Sequence, residues 1–222
     1  MRTVILCYHK VGPVAEEGRF LNVEPRHLAA QVRFFARRSG PLVSLKQFLT
    51  GTPSAAVLTF DDTYESTANH APAILAETQS HATFFVVTQK TASDWDGDRA
   101  SPLAPREQIE ALARAGHEIG NHTRTHLHLN ATADFAEEIS GAGSDLTDWG
   151  HPPVTFCYPY GSLNPAVVAE VRRQGYLGAV SLQKGRVQED SDRWQLPRIV
   201  VGYSDGLPGL LYKLYIRPLL PK

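Results

Sequence analysis

The chain has 222 residues, of which 42% are hydrophobic and 20% are charged, and these values are typical of an ordinary soluble globular domain. Its formal net charge of −1 gives no electrostatic reason to expect a nucleic-acid partner. The two cysteines, Cys7 and Cys157, form neither a CxxC pattern nor a disulfide framework. The first apolar run is too short for a signal peptide, and no stretch reaches the roughly 18 apolar residues of a membrane span. These features predict a single-domain cytoplasmic protein.

Apolar runs typical of strands alternate along the chain with segments of helical period. The first half predicts a strand over 3–8, a loop over 10–24, a helix over 25–38, a strand over 55–60, a helix over 66–77 and a strand over 81–87. The second half predicts helices over 105–115, 131–149 and 165–174, and strands over 117–120, 154–158, 176–182 and 199–201. This alternation predicts a parallel sheet. About seven βα units favour a closed barrel, and the nucleotide-binding motifs GxGxxG and GxxxxGK[ST] of open sheets are absent.

Two polar motifs follow predicted strands. Asp61 and Asp62 end the strand over 55–60, where adjacent carboxylates would destabilise the fold unless cations met them. His122 and His126 are four residues apart, a spacing that predicts one shared face of a helical turn. One carboxylate and two imidazoles would form a three-ligand site with an open position for water, as in catalytic zinc sites. The second carboxylate could then act on that water.

Each motif taken alone has an ordinary structural interpretation. Asp61-Asp62 could be a helix cap or a turn, and the two histidines could form a polar loop with His128. A zincin HExxH motif is excluded because Asn121 stands at its second histidine, and no GxSxG nucleophile elbow is present. In βα barrels, however, the chemistry lies at the carboxyl ends of the strands. Both motifs and Tyr158-Pro159-Tyr160-Gly161 fall there in the predicted fold, which favours metal-assisted hydrolysis.

Six segments of the chain resemble the polysaccharide deacetylases with a NodB homology domain. They are Leu6-Cys7-Tyr8-His9-Lys10-Val11-Gly12, Thr59-Phe60-Asp61-Asp62, His81-Ala82-Thr83-Phe84-Phe85-Val86, His122-Thr123-Arg124-Thr125-His126, Tyr158-Pro159-Tyr160-Gly161-Ser162-Leu163-Asn164 and Leu196-Pro197-Arg198-Ile199. The resemblance implies an α/β fold, a single-domain distorted (β/α)7 barrel, which is expected over 1–205. A C-terminal apolar and basic helix or tail is expected over 206–222. The resemblance also implies one divalent metal ion, most often zinc with cobalt or nickel as alternatives, and removal of an N-acetyl group from a sugar.

The resemblance assigns roles to the two motifs. Asp61 would be the catalytic base, and Asp62, His122 and His126 would hold the metal. The backbone N–H of Tyr160 would bind the oxyanion together with the metal. The expected substrate is an N-acetylated amino sugar in a glycan or a glycan precursor. The alternatives are a catalytically weak or inactive glycan-binding protein on the same scaffold, an O-acetyl esterase and a small-amide hydrolase.

The chain departs from the family pattern at three positions. Thr63 stands where glycine usually follows the two aspartates, and Cys157 stands where many members have arginine. Arg198 occupies the position of a late histidine that serves as the general acid. Because arginine stays protonated, Arg198 is a poor acid and would instead orient Asp61 or bind substrate. The acid would then be His9, Asp61 returning its proton, or water.

Four residues are candidates for substrate contact: His9, Trp95, Tyr158 and Pro159. The polar stretch 88–104 is expected to line the substrate cleft, with Trp95 stacked on a sugar ring. Alternatively, it is a surface insertion with Trp95 packed on the barrel.

The C-terminal stretch is apolar and basic. It predicts a helix over 208–217 that covers the barrel with Leu210, Leu211 and Leu214 inward. The alternative is a weak anchor on the inner face of the membrane, which would make the cytoplasmic protein peripheral to that surface.

Overall fold

A computed structural model describes residues 3–96 and 100–217. The strands of this part are β1 (Val4–Tyr8), β2 (Lys10–Val11), β3 (Asn22–Val23), β4 (Ala56–Phe60), β5 (Thr83–Val86), β6 (Glu118–Asn121), β7 (Thr155–Cys157), β8 (Gly178–Lys184) and β9 (Leu196–Val200). The helices are α1 (Val14–Glu17), α2 (Pro25–Ser39), α3 (Leu45–Leu49), α4 (Glu65–Ala76), α5 (Arg106–Arg114), α6 (Phe135–Asp148), α7 (Pro165–Arg173) and α8 (Leu207–Leu211). A 3-10 turn spans Pro159–Gly161, and a π-helical turn over Tyr212–Ile216 continues α8.

Seven parallel strands close the barrel in the order β1-β4-β5-β6-β7-β8-β9, and β9 pairs with β1. The predicted α/β, single-domain (β/α)7 barrel is therefore confirmed. The barrel is irregular at one seam, because the register between β8 and β9 shifts between Val180 and Lys184. β2 and β3 form a separate two-stranded sheet, so the loop predicted over 10–24 is wrong in part. Asn22 stabilises this two-stranded sheet through hydrogen bonds between its side chain and the backbone of Gly12.

The strands β1 and β4 are buried along their whole length, as expected for parallel strands covered on both faces. Their side chains join one large apolar core with the inward faces of α2, α4 and α5. On α2, the inward residues are Leu28, Val32 and Phe35, which confirms the apolar stripe predicted from the sequence. This packing fixes the carboxyl ends of the strands, where the polar motifs lie.

The predicted C-terminal helix lies against the barrel. Leu210 and Leu214 are buried in the main core, whereas Leu211 is only half-buried. Residues 218–222 of the predicted tail, and residues 97–99 of the polar stretch, lie outside the described residues. Within 3–96 and 100–217, none of the helices combines the length and the apolar character needed to cross a bilayer.

Candidate metal and catalytic site

The two aspartates follow β4 in a tight left-handed turn. Asp62 has φ 65° and Thr63 has φ 54°, a region that L-residues rarely adopt. The usual glycine would adopt this conformation without steric cost. In this chain the Thr63 hydroxyl donates to the carbonyl of Phe85 at 2.9 Å, which ties the turn to β5. The departure from glycine is therefore compensated by a hydrogen bond to the neighbouring strand.

The helical turn predicted for His122 and His126 is wrong. The segment after β6 is an irregular loop in which Thr123 (φ 68°) and His126 (φ 61°) are left-handed. The Asn121 carboxamide accepts the amide N–H of Thr123 at 2.7 Å, and the Thr123 hydroxyl accepts that of His126 at 3.1 Å. These side-chain bonds, and not a helix, bring the two imidazoles together.

Asp62, His122 and His126 converge within the barrel mouth and are all buried. The Nε2 atoms of His122 and His126 lie 3.3 Å and 3.1 Å from Oδ1 of Asp62. Nδ1 of His122 lies 2.8 Å from the carbonyl of Cys157, which can only accept, so Nδ1 carries the hydrogen. In the neutral ring, Nε2 therefore directs a lone pair at a carboxylate oxygen that has no hydrogen-bond partner.

A cation between these atoms would satisfy all three. Two imidazole nitrogens and one carboxylate oxygen are a donor set that zinc and similar divalent ions accept. The electrostatics of Asp62 and His126 suit ligand roles, whereas, despite its burial, the contacts of His122 with the two aspartates raise its pKa above the usual value. Burial opposes ionisation of Asp62, but its close contacts with the two imidazoles hold its pKa well below the usual range. Burial lowers the pKa of His126, so this imidazole favours its neutral, ligating form.

Asp61 faces Arg198 and lies close to His122, a member of the same cluster. Nη1 and Nη2 of Arg198 each donate to one oxygen of Asp61 at 2.7 Å. Burial opposes ionisation of Asp61, but the charge and hydrogen bonds of Arg198 hold its pKa well below the usual range. Arg198 is 0% exposed and also donates to the carbonyl of Ser181 at 2.9 Å. This complete burial argues against direct substrate binding by Arg198, whereas its geometry suits the orientation of Asp61.

Cys7 and Cys157 are buried free thiols, and both contact Asp61. Each Sγ lies 3.4 Å from Oδ2 of Asp61, and Cys157 also accepts from Arg198 at 3.2 Å. The signal available in the sequence was their position, since each cysteine lies at the carboxyl end of a strand. His9 lies nearby, with its Nε2 4.0 Å from Oδ2 of Asp61. Of the four candidate substrate contacts, His9 thus lies beside Asp61.

Aromatic rings cover one side of the group formed by Asp62, His122 and His126. The indole of Trp95 stacks on His126 with ring centroids 4.0 Å apart, and its Nε1 donates to Oδ2 of Asp62 at 3.3 Å. The ring of Tyr160, which is 41% exposed, contacts His126 at 4.5 Å and stacks on His128 at 3.8 Å. Trp95 and Tyr160 thus lie beside the group formed by Asp62, His122 and His126, and His126 covers one face of the Trp95 indole.

The side chains of the other two predicted substrate contacts, Tyr158 and Pro159, are buried. Tyr158 is 1% exposed, packs against Phe156 and donates its hydroxyl to the carbonyl of Trp194 at 2.9 Å. Pro159 is buried at the start of the 3-10 turn. Their side chains belong to the packing under the turn, and only Tyr160 in this motif reaches the surface.

Helix α6 holds the histidine loop from outside, a role that sequence reasoning missed. Arg124, between the two histidines, donates to both oxygens of Asp145 at 3.0 Å and 2.9 Å. The amide and hydroxyl of Thr125 donate to the buried Glu138 at 2.9 Å and 2.7 Å. Hydrogen bonds between the histidine loop and α6 depend on tertiary structure, so no local sequence pattern predicts them.

The chain is similar to known proteins in sequence and in fold. The sequence profile of the family described as polysaccharide deacetylase matches residues 49–179. Protein YxkH of Bacillus subtilis is 24% identical over 96% of this chain and 75% of its own length. The peptidoglycan-N-acetylglucosamine deacetylase of Bacillus cereus is 27% identical over 54% of this chain, which spans about half of that relative (52%). The poly-beta-1,6-N-acetyl-D-glucosamine N-deacetylase of Staphylococcus aureus is 20% identical over 84% of this chain and 70% of its own.

Solved structures show the same fold. IcaB from Ammonifex degensii superposes with a TM-score of 0.78 at 25% identity, covering 94% of this chain and 95% of IcaB. The Streptococcus pyogenes deacetylase PplD, solved in complex with acetate, superposes with a TM-score of 0.81 at 21% identity, covering 96% of this chain and 98% of its own.

Proposed function

Because the chain belongs to the polysaccharide deacetylase family, we propose that it hydrolyses the N-acetyl group of an amino sugar in a glycan or a glycan precursor. The observation that carries this proposal is the pairing of two buried carboxylates with different partners. Asp62 faces two imidazoles, whereas Asp61, its neighbour in sequence, is held by a guanidinium. One carboxylate is thus suited to hold a cation and the other to move a proton. The named relatives that act on N-acetylglucosamine polymers support this substrate class.

Asp62, His122 and His126 would hold one divalent ion, with zinc as the expected metal and cobalt or nickel as alternatives. When bound, such an ion acidifies water and polarises a carbonyl group. Asp61 lies beside this cluster and would take a proton from the water that attacks the acetamide carbon. Arg198 keeps both oxygens of Asp61 in one orientation, because its two N–H groups bind them in a fork.

Two further steps complete the hydrolysis. The backbone N–H of Tyr160 would donate to the carbonyl oxygen as its negative charge develops. The C–N bond then breaks to give acetate and an amine, and the amine nitrogen must receive a proton as it leaves. His9, Asp61 returning its proton, or water would supply that proton. Nε2 of His9 lies 4.0 Å from Oδ2 of Asp61, which favours His9 among these three.

The direct test is acetate release from N-acetylhexosamine oligomers and nucleotide-linked sugars, with zinc or cobalt supplied. O-acetylated sugars and simple acetamides serve as parallel substrates, since preferential turnover of either would identify an esterase or a small-amide hydrolase. Binding of the oligomers without acetate release would instead identify a glycan-binding protein. His126→Ala tests the metal site, because full metal content in that variant would contradict the ligand assignment.

Asp61→Asn separates the base from the ligands. We expect the variant to keep its metal, because Asp61 is not among the three proposed ligands. We expect turnover to fall by about 10²–10⁴-fold, the usual contribution of a general base. Metal content by elemental analysis and acetate release on the same sample measure both effects. A variant within a few-fold of the parent would direct attention to His9 as the base.

A further inference from the structure

The oxygens of Asp62 are used unequally. Oδ1 faces the Nε2 atoms of His122 and His126 and has no hydrogen-bond partner. Oδ2 accepts the indole N–H of Trp95 at 3.3 Å. An indole N–H can only donate, so it occupies Oδ2 and leaves Oδ1 for a cation. Trp95 therefore engages Oδ2 and favours Oδ1 as the oxygen that would meet a cation.

Trp95 also restrains a second proposed ligand. Its ring stacks on His126 at 4.0 Å with an interplanar angle of 25°. The Nδ1 atom of His126 is buried and has no hydrogen-bond partner, unlike that of His122, which is bound to the carbonyl of Cys157. The plane of the His122 imidazole is fixed by its hydrogen bond to Cys157, and that of the His126 imidazole is fixed by stacking on Trp95.

A buried ion pair holds the segment that carries Trp95. Asp96 accepts from the ammonium group of Lys10 at 3.0 Å, from the hydroxyl of Tyr64 at 2.9 Å and 2.8 Å, and from the hydroxyl of Ser93 at 2.8 Å. Side-chain exposure is 3% for Lys10 and 0% for Asp96. Lys10 also donates to Ser101 at 3.0 Å. A buried charge pair with this many hydrogen bonds fixes the backbone next to Trp95.

We propose that Trp95 is a positioning residue of the metal site, and that the buried Lys10–Asp96 ion pair holds it in place. This inference rests on the proposed metal binding by Asp62, His122 and His126. It replaces the interpretation of Trp95 as a residue that stacks on a sugar ring. The two interpretations differ in what they affect, because a positioning residue changes metal affinity in the absence of any sugar.

The main experiment measures the affinity of the protein for Co²⁺ by competition with a chromophoric chelator. Trp95→Phe keeps an aromatic ring over His126 but removes the N–H, and groups that orient metal ligands are typically worth about 10–100-fold in affinity. We expect a loss in that range. Trp194→Phe is the matched control, because its indole also donates at 3.3 Å, to the carbonyl of Tyr176 and away from the site. We expect the parent affinity in that variant.

Tryptophan fluorescence gives a second readout. The chain has three tryptophans, and bound Co²⁺ should quench chiefly the one whose ring stacks on His126. We expect quenching in the parent and in Trp194→Phe but not in Trp95→Phe. Lys10→Met tests the ion pair, and we expect weaker Co²⁺ binding with a shifted Trp95 emission. If that variant does not fold, Lys10→Met/Asp96→Asn removes both charges and keeps polar contacts.

The outcomes separate this inference from the proposed function. Parent Co²⁺ affinity in Trp95→Phe would overturn the positioning role while leaving the metal site intact. Weaker binding of N-acetylated oligomers by that variant, with unchanged Co²⁺ affinity, would restore the sugar-stacking interpretation. Absence of stoichiometric Co²⁺ in the parent, or its retention in His126→Ala, would overturn the metal site itself and the inference with it.

Discussion

Arg198 shows how a side chain from one strand can take the place expected for a side chain from another. The resemblance places an arginine at residue 157 on β7, where this chain has cysteine. Arg198 comes from β9 instead, yet its Nη2 lies 3.2 Å from Sγ of Cys157 and its guanidinium donates to both oxygens of Asp61. β7 and β9 flank β8 in a closed barrel, so side chains from both strands can reach the same interior point. The sequence alone left open whether Arg198 oriented Asp61 or bound substrate.

The fork of Arg198 is open to a direct test by Arg198→Lys. Lysine keeps the charge but presents a single ammonium group, so one oxygen of Asp61 loses its partner. We expect turnover to fall by about tenfold or more and stability to fall by about 1.5–3 kcal/mol, the usual contribution of a charged hydrogen bond. Kinetics and chemical denaturation measure the two effects. Arg173→Lys is the control, because the exposed Arg173 also binds both oxygens of one carboxylate, that of Glu170, through Nε and Nη2. Little change is expected there.

At the scale of elements, the sequence predicted the strands and the helix faces but not the loops that shape the site. Strand and helix patterns are local, so α2 and β4 are found within one or two residues of the predicted bounds. The left-handed residues Asp62, Thr63, Thr123 and His126 are not announced by their neighbours. Thr63 is tied to β5 by a hydrogen bond, whereas side-chain bonds from Asn121 and Thr123 shape the histidine loop. Residue spacing does not reveal such bonds, which explains why the spacing of the two histidines predicts a helical turn that does not form.

The contact between α6 and the histidine loop predicts an effect of Gly141→Ala. A Cβ at Gly141 would lie 2.3 Å from Cζ of Arg124, so the guanidinium must move off the helix and leave Asp145. We expect metal affinity to fall by up to about tenfold, because the loop between the histidines loses its anchor. The melting temperature should stay equal or rise, since alanine favours a helix over glycine by about 1 kcal/mol.

The control for this prediction is Ser144→Ala, an exposed position on the same helix. It should change neither metal affinity nor the histidine loop. A loss of stability in Gly141→Ala without a loss of metal affinity would show that Arg124 serves the packing of α6 and not the proposed metal site.

At the scale of the whole molecule, the C-terminal helix packs against the rest of the fold through both polar and apolar contacts. Leu210 and Leu214 enter the main core, and the Asp205 carboxylate pairs with Lys213. Truncation after Asp205 should therefore lower the melting temperature by several degrees, because two buried leucines contribute about 1.5–3 kcal/mol each. Differential scanning calorimetry of the full and truncated chains measures this.

The same segment keeps the membrane-anchor hypothesis testable. Tyr212, Tyr215 and Ile216 are exposed beside the basic Lys213 and Arg217. If this face binds membranes, the full chain should sediment with anionic vesicles at low salt and not with neutral ones. A full chain that never sediments would end the hypothesis without affecting the stability prediction.

Protonation of His117 should link the stability of the barrel to pH. His117 precedes β6, is 8% exposed, has a buried Nδ1 without a partner and lies 5.8 Å from the ring of His81. Burial, with a smaller contribution from His81, lowers the pKa of His117 to about 4. An unfolded histidine has a pKa of about 6.5. Between these values the unfolded chain binds the proton and the folded chain does not, so the free energy of unfolding must fall as pH falls from about 6.5 to about 4.

The expected size of this loss is up to about 2 kcal/mol between pH 6.5 and pH 5, since each pH unit in the window contributes at most about 1.4 kcal/mol. Urea denaturation of the parent and of His117→Gln at pH 7, 6 and 5 isolates it, because glutamine does not titrate. The free energy of unfolding of the parent should fall more than that of the variant on acidification. Above about pH 7 the two proteins should show the same dependence of this free energy on pH. Parallel pH profiles for the two proteins would contradict the assignment and attribute any acid sensitivity to other groups, such as the carboxylates at the opposite end of the barrel.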